Sequence, residues 1–511
     1  MARLDRRSFI AGSTAGVAAA TLPLDALAAA GDLLSGEAAV SNRALRALRS
    51  AVDGPVLARG SRGYGSARLV YNERFDGLRP QAVVEPLNVR DVQSVVRWAR
   101  KFDVRIVAKA GGHSYAGYST LSDGVVVDLR RIAGVSPKSA NTRVNVGAGA
   151  QLIDVYAGLA RRGVTVPAGS CPSVGVGGHA LGGGMGLAGR RFGLLSDNVT
   201  ALTIVTADGR IRRVDRNDDP DLFWACRGGG GGNFGIVTGF AFQTHRARSA
   251  SWFNISWPWG SASEALEAWQ RLLPSATDRL TAIFHLTTNG DGPPSVSCDG
   301  QFFGSESQLR ATIRPLLDHG AQLSIGTAAY LPLMLRWAGC LGDPLRSCHT
   351  RHTTGGGTLP RAAFFAKSDY VDEPLSAAGR RTMIDWIERR NANPSQGSGA
   401  LLLDSYGGAL NRPKPGATAF VHRDELFCIQ YGAYFEGAAA QRASRSWISG
   451  VHDAMRPYVS GQAYQNYIDP ALTSWQRAYY AGNLPRLRQV KQTYDPDFFF
   501  RFPQAIPPAG S

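Results

Sequence analysis

The stretch that constrains this chain most is residues 168–186, AGSCPSVGVGGHALGGGMG, with eight glycines among nineteen positions. Glycine weakens helix and strand interiors, because it loses the most backbone freedom on ordering and has no side chain to pack. What it permits is φ > 0 and close approach of the backbone to another segment or to a flat ligand. Cys171 stands at the head of the run. The segment therefore reads as a backbone cradle with a nucleophilic sulfur at its edge.

A second cradle lies upstream in AKAGGHSYAGYS, residues 108–119. Gly111 and Gly112 end a predicted strand, so successive N–H groups can converge as an anion nest, and His113, Ser114 and Tyr115 follow at once. Two nucleophiles, His113 and Cys171, each adjoin a phosphate-compatible turn, as expected of two grips on one large anionic cofactor. Other signals are weaker. GMGLAG, Gly184 to Gly189, has the dinucleotide-fingerprint spacing, but more glycine precedes it where a strand is required. G-x-x-x-x-G-K-[ST], H-x-x-x-H and G-x-S-x-G do not occur, which argues against P-loop, metalloprotease and serine-hydrolase chemistry. There is no C-x-x-C, and no metal site is expected. Cys340 and Cys348 flank LGDPLRS and could pair outside the cell, although spacing fixes no connectivity.

Between the cradles the chain alternates. QAVVEP is a short apolar run, and Asn88 caps a segment with Val92, Val95, Val96 and Ala99 at helical spacing. VRIVAKAGG follows as strand and turn, so a strand–helix–strand unit is predicted. DGVVVDL and RVNVGAG read as strands, QLIDVYAGLARRG as helix, and Asp208-Gly209 as a hairpin turn. DLFWACRGGGGGNFGIVTGFAF reads as a short helix, a glycine loop and a strand. At 511 residues, more than one hydrophobic core is expected. We divide the chain into residues 1–30, a signal; 31–75, a lead-in; 76–246, a cofactor domain; 247–455, a substrate domain; and 456–511, a segment folding back over the first domain.

The N-terminus, DRRSFIAGSTAGVAAATLPLDALAAA, carries Arg6-Arg7, Phe9, a mild alanine-rich core and small residues at Ala26, Ala28 and Ala30. This is the pattern of a twin-arginine export signal, too short and mild for a retained membrane helix, so a periplasmic or extracellular location is expected, with no membrane association after cleavage. Net charge is +16, but the basic residues are scattered arginines without a lysine-rich tract, so a solvated surface is favoured over a nucleic-acid footprint. An anionic-polymer binder would instead show steep salt sensitivity.

GGHSYAGYS, GSCPSVGVGGHALGGGMG, DLFWACRGGGGGNFGIVT and YQNYIDP together resemble the berberine-bridge-enzyme-like flavoprotein oxidases, over residues 75 to 245 and again from 400 onward. The resemblance implies an α+β chain: a two-part PCMH-type FAD-binding domain and an α+β substrate domain with an antiparallel sheet. It implies FAD held covalently by His113 and Cys171, with Gly111, Gly112, Ser114, Gly177, Gly178, His179, Gly182, Gly183 and Gly184 around the cofactor. It places Gly235, Ile236 and Val237 of the glycine loop, and Asn466, at the cofactor too, and puts Val174 at the oxygen-access position.

For chemistry, it implies Tyr467 as the base that takes the hydroxyl proton, with Asp404 as its partner. Tyr464 is the alternative in the same motif. Gln430 and Tyr115 would orient the substrate. Leu402 and Met185 depart from the polar residues that relatives often carry, and point to a less polar pocket. The expected partners are O2 and a small molecule: an alcohol, a carbohydrate or a secondary metabolite. The alternatives are a dehydrogenase using a non-oxygen acceptor, and a binding protein whose flavin serves stability alone.

Overall fold

The structure is a computed structural model and describes residues 40–138, 141–290 and 292–510. The twin-arginine segment lies outside these residues. The first sheet has four strands in the order Val56–Ala58, Ala82–Val84, Gly124–Asp128, Arg105–Lys109, parallel apart from the first. The helix Val89–Phe102 covers it, and the Asn88 side chain accepts from Arg90 and Asp91 N–H, closing two of the open donors of the first turn. Val92, Val95, Val96 and Ala99 are fully buried. Each such valine contributes about 1.5–3 kcal/mol by leaving water.

Residues ahead of 76 supply the edge strand and a helix, Asn42–Ala51, tied down by the Trp98 indole N–H donating to Ala44 O at 2.8 Å. The second sheet is antiparallel, in the order Val135–Pro137, Arg143–Gly147, Ile236–Gln243, Val199–Val205, Ile211–Asp215. The last two strands form the hairpin expected at Asp208-Gly209, where Gly209 has φ 71°.

The third sheet has seven antiparallel strands, in the order Gln322–Ala329, Ser249–Trp257, Ser295–Phe302, Leu280–Thr288, Gly399–Ser405, Phe427–Tyr434, Phe364–Val371. One face packs its apolar residues, among them Leu401, Leu403, Ile429 and Tyr431, under the helices Ala262–Leu272, Ala377–Asn391 and Gly437–Met455. Side chains alternate along a strand, so Leu402, Asp404 and Gln430 project from the opposite face.

The C-terminal segment enters the core of the first two sheets through Ala478, Tyr479, Leu487, Val490 and Ile506. Lys491 is fully buried there, paired with Asp495 at 2.6 Å and donating to Asn233 O and Phe500 O. That ammonium fastens the 227–235 glycine loop to the tail.

Candidate active site

The two glycine cradles interlock. A Cβ at Gly111 would lie 2.2 Å from Gly175 N and 2.7 Å from Ser173 O, and one at Gly175 would lie 2.1 Å from Gly111 N. Only glycine allows the loops to touch backbone to backbone. Gly111→Ala is therefore expected to cost roughly 3 kcal/mol or more, by forcing the loops apart. Thermal unfolding of the variant checks this, and a midpoint equal to that of the parent would contradict the contact.

His113 sits on this junction. Its Nε2 lies 3.0 Å from Ser173 Oγ, and its ring stacks on Tyr71 at 4.1 Å. Burial pulls its pKa down to about 3, so the imidazole is neutral and nucleophilic at working pH. Cys171, two residues from Ser173, is exposed and outside any disulfide. Neither Ser173 nor Tyr71 carries a local sequence signal; both are found only when the loops meet.

An aromatic group adjoins the junction. Tyr115, two residues after His113, stacks on Tyr467 with ring centroids 5.3 Å apart and planes 7° from parallel. Gln430 Nε2 donates to Tyr115 Oη at 2.6 Å, and Phe364 meets the Tyr115 ring edge-on at 5.2 Å. Sheet register sets Leu402 opposite Gln430, and Asp404 opposite Cys428 one row away. Burial first, and then the Asp404 charge, push the Tyr467 pKa well above its ordinary value, so Tyr467 rests as a neutral phenol. Tyr115, Gln430, Asp404 and Tyr467 are thus brought together from a loop, two strands and the tail.

Tyr464 has a different position from its neighbour Tyr467. Its phenolic oxygen accepts from Gly184 N–H at 3.0 Å, Met185 N–H at 3.1 Å and Asn466 Nδ2 at 2.9 Å. It clamps the tail onto the glycine run. Gly183 and Gly184 have φ 116° and 82°, which favours glycine at both.

Several residues expected at the cofactor also carry structural contacts. Asn466 Nδ2 donates to Tyr464 Oη and to His179 O, both at 2.9 Å, and a Cβ at Gly182 would strike Asn466 Oδ1. His179 Nε2 accepts from Gly169 N–H at 3.0 Å and props the backbone ahead of Cys171. The side chains of Ile236 and Val237 are buried in the core, because their strand is the middle one of its sheet. Gly235 precedes them at φ 151°. Ser114 Oγ accepts from Tyr118 N–H at 3.1 Å, closing the turn after His113. Val174 is half-buried, and Gly178 is exposed with nothing within 4 Å of an added Cβ. Met185 is buried with Leu194, Phe420 and Tyr464.

Buried histidines also govern acid stability. Burial lowers His179 to about 4 and, against the bond that its ring donates to Gln462 Oε1, His422 to about 3. The unfolded chain takes up these protons near pH 6.5 and the folded chain does not. Stability is therefore full above about pH 6.5 and falls with acidification toward pH 4, each histidine adding about 1.4 kcal/mol per pH unit to the slope. The holoprotein's unfolding midpoint is expected to drop by roughly 5 °C between pH 7 and pH 4.5 from these two rings. Either ring titrating near pH 6.5 in the folded protein would exclude its neutral burial.

The fold and this site define an FAD-linked oxidoreductase. A family pattern described as FAD binding domain matches residues 80–215, and one described as berberine and berberine like matches residues 463–507. An uncharacterized FAD-linked oxidoreductase, YgaK of Bacillus subtilis, is 33% identical over 467 residues, covering 90% of this chain and 98% of the relative. Chitooligosaccharide oxidase of Gibberella zeae is 30% identical, covering 89% of this chain and 92% of the relative. The solved structure of BBE-like 1 from Physcomitrella patens superposes with a TM-score of 0.81 at 32% identity, over 91% of this chain and 99% of that one. The chain belongs to the berberine-bridge-enzyme-like family of FAD-linked oxidoreductases.

Proposed function

We propose that this protein is an exported oxidase that takes a hydride from an alcohol or sugar-type carbon to FAD bound at both His113 and Cys171, with O2 as final acceptor and H2O2 as product. The observation that carries the reading is the packing of Tyr115 against Tyr467 and Gln430, two residues from His113. The donor set fits the cofactor: a neutral imidazole, an exposed thiol and a glycine junction that no other residue could form. Ser173 engages Nε2 of His113, which leaves Nδ1 as the attaching nitrogen. The Arg6-Arg7 signal supports export.

FAD, when bound, supplies the hydride acceptor and the path of electrons to O2. The protein must handle the proton. Tyr467 is a phenol at rest, so it accepts the substrate hydroxyl proton only as its own proton passes on toward Asp404. Gln430 and Tyr115 orient the substrate from the side of the sheet, and the family resemblance assigns Val174 to the approach of O2.

A second reading, an aromatic or secondary-metabolite alcohol oxidised with a non-oxygen acceptor, is favoured by Leu402, which presents an apolar side chain directly opposite Gln430. Chitooligosaccharides and coniferyl alcohol, each mixed anaerobically with the holoenzyme, distinguish the substrates by which one bleaches the flavin. Admitting air or a quinone then distinguishes the acceptors. Failure of both substrate classes to bleach it would overturn the catalytic reading in favour of a flavin-containing binding protein.

A further inference from the structure

The cysteines at 340 and 348 are joined in a disulfide. Both are fully buried and pack with Ala338 against Ile153, in the first turn of the helix Leu152–Ala160. The next residue, His349, reaches the same turn. Its Nε2 lies 3.0 Å from Asp154 Oδ2, and its Nδ1 lies 3.1 Å from Arg346 O. Both partners are oxygen acceptors, so both ring nitrogens must donate, which makes His349 an imidazolium paired with a carboxylate. The disulfide loop thus grips one helical turn twice, through an apolar contact at Ile153 and a charged hydrogen bond at Asp154.

That turn holds the loop carrying Cys171. Leu152 N–H donates to Val174 O at 3.0 Å, Ile153 N–H donates to Pro172 O at 3.2 Å, and Val176 N–H donates back to Ala150 O at 2.9 Å. The first-turn amides of a helix have no partners within it, and here the cysteine loop satisfies two of them. His113 also meets this loop, through Ser173 Oγ and the Gly111–Gly175 junction, but its ring has a further hold outside it, the stack on Tyr71.

We propose that the Cys340–Cys348 disulfide and the His349–Asp154 pair form a brace that positions Cys171 for attachment to the cofactor, with a weaker effect on His113, which Tyr71 also holds from outside the braced loop. The inference rests on the two-point attachment proposed above. Joining Cys171 to the flavin replaces S–H and one ring C–H by an S–C bond, and the two electrons and two protons released pass to O2 as H2O2. A misplacement of about 1 Å slows such a step by up to about a hundredfold. With the disulfide absent, attachment at Cys171 lags while attachment at His113 continues.

Two variants of the full chain test this, C340S/C348S and D154N, the second leaving the disulfide intact. Peptide mapping of air-saturated holoprotein follows the His113 and Cys171 attachments separately over time, and hydrogen exchange follows the amides of 173–176. The expected result is at least about tenfold slower attachment at Cys171 in C340S/C348S, a smaller slowing in D154N and His113 attachment within about twofold of the parent. Exchange should rise locally at Val174 and Val176. Equal Cys171 attachment and exchange in variants and parent would overturn the brace. So would parallel losses at His113 and Cys171, which would mark a general loss of stability; should C340S/C348S not fold, D154N is read by the same criteria. Absence of any Cys171 attachment in the parent would instead overturn the two-point reading, and the exchange of 173–176 would still judge the brace.

Discussion

Replacing Tyr467 with phenylalanine is expected to slow reduction of the bound flavin by about 10²–10⁴-fold, the usual loss when a placed acid–base group is removed. The ring stack on Tyr115 at 5.3 Å needs no hydroxyl, so the variant keeps the packing and loses only the proton acceptor. Anaerobic stopped-flow reduction isolates the step from reoxidation. Tyr464→Phe is the matched control. Its phenolic oxygen receives three N–H donors and ties the tail to Gly184 and Met185, so its loss is expected to lower thermal stability ahead of the reductive rate. A Tyr467→Phe enzyme within about threefold of the parent, with Tyr464→Phe collapsed, would transfer the acid–base role to Tyr464.

The second large effect concerns attachment. Acid-denatured parent protein should carry yellow flavin fluorescence on the protein band. His113→Ala and Cys171→Ala should each retain one linkage, and the double variant should retain none. The loops that present these residues touch backbone to backbone at Gly111 and Gly175, so each variant leaves the cradle intact. Flavin still bound covalently in the double variant would exclude both residues as the attachment points.

Much of the site was visible in local patterns. The two cradles, the Asp208-Gly209 hairpin and the Asn88 cap rest on backbone rules that act over a few residues, and each appears in the structure. The alternation of LLLDSYGG likewise placed Leu402 and Asp404 on one face of a strand. At other positions the fold adds packing roles that no local pattern shows. Ile236 and Val237 follow a glycine loop that suggests a ligand, yet their strand is central to its sheet and their side chains fill the core. Asn466 sits in a motif that suggests the cofactor, yet its amide bridges Tyr464 and His179.

The chain's own order of residues settles which groups are available: a thiol and an imidazole beside glycine turns, a tyrosine-rich tail and paired carboxyl and amide candidates. Glycine's lack of a Cβ and the period of two in a strand are local properties, so they can be read without a fold. Which groups meet is a matter of folding alone. Ser173 reaches His113 across 60 positions of chain, Gln430 reaches Tyr115 across 315, and His349 reaches Asp154 across 195. Contacts of such separation are set by how sheets stack and loops interlock, and no short-range rule encodes them.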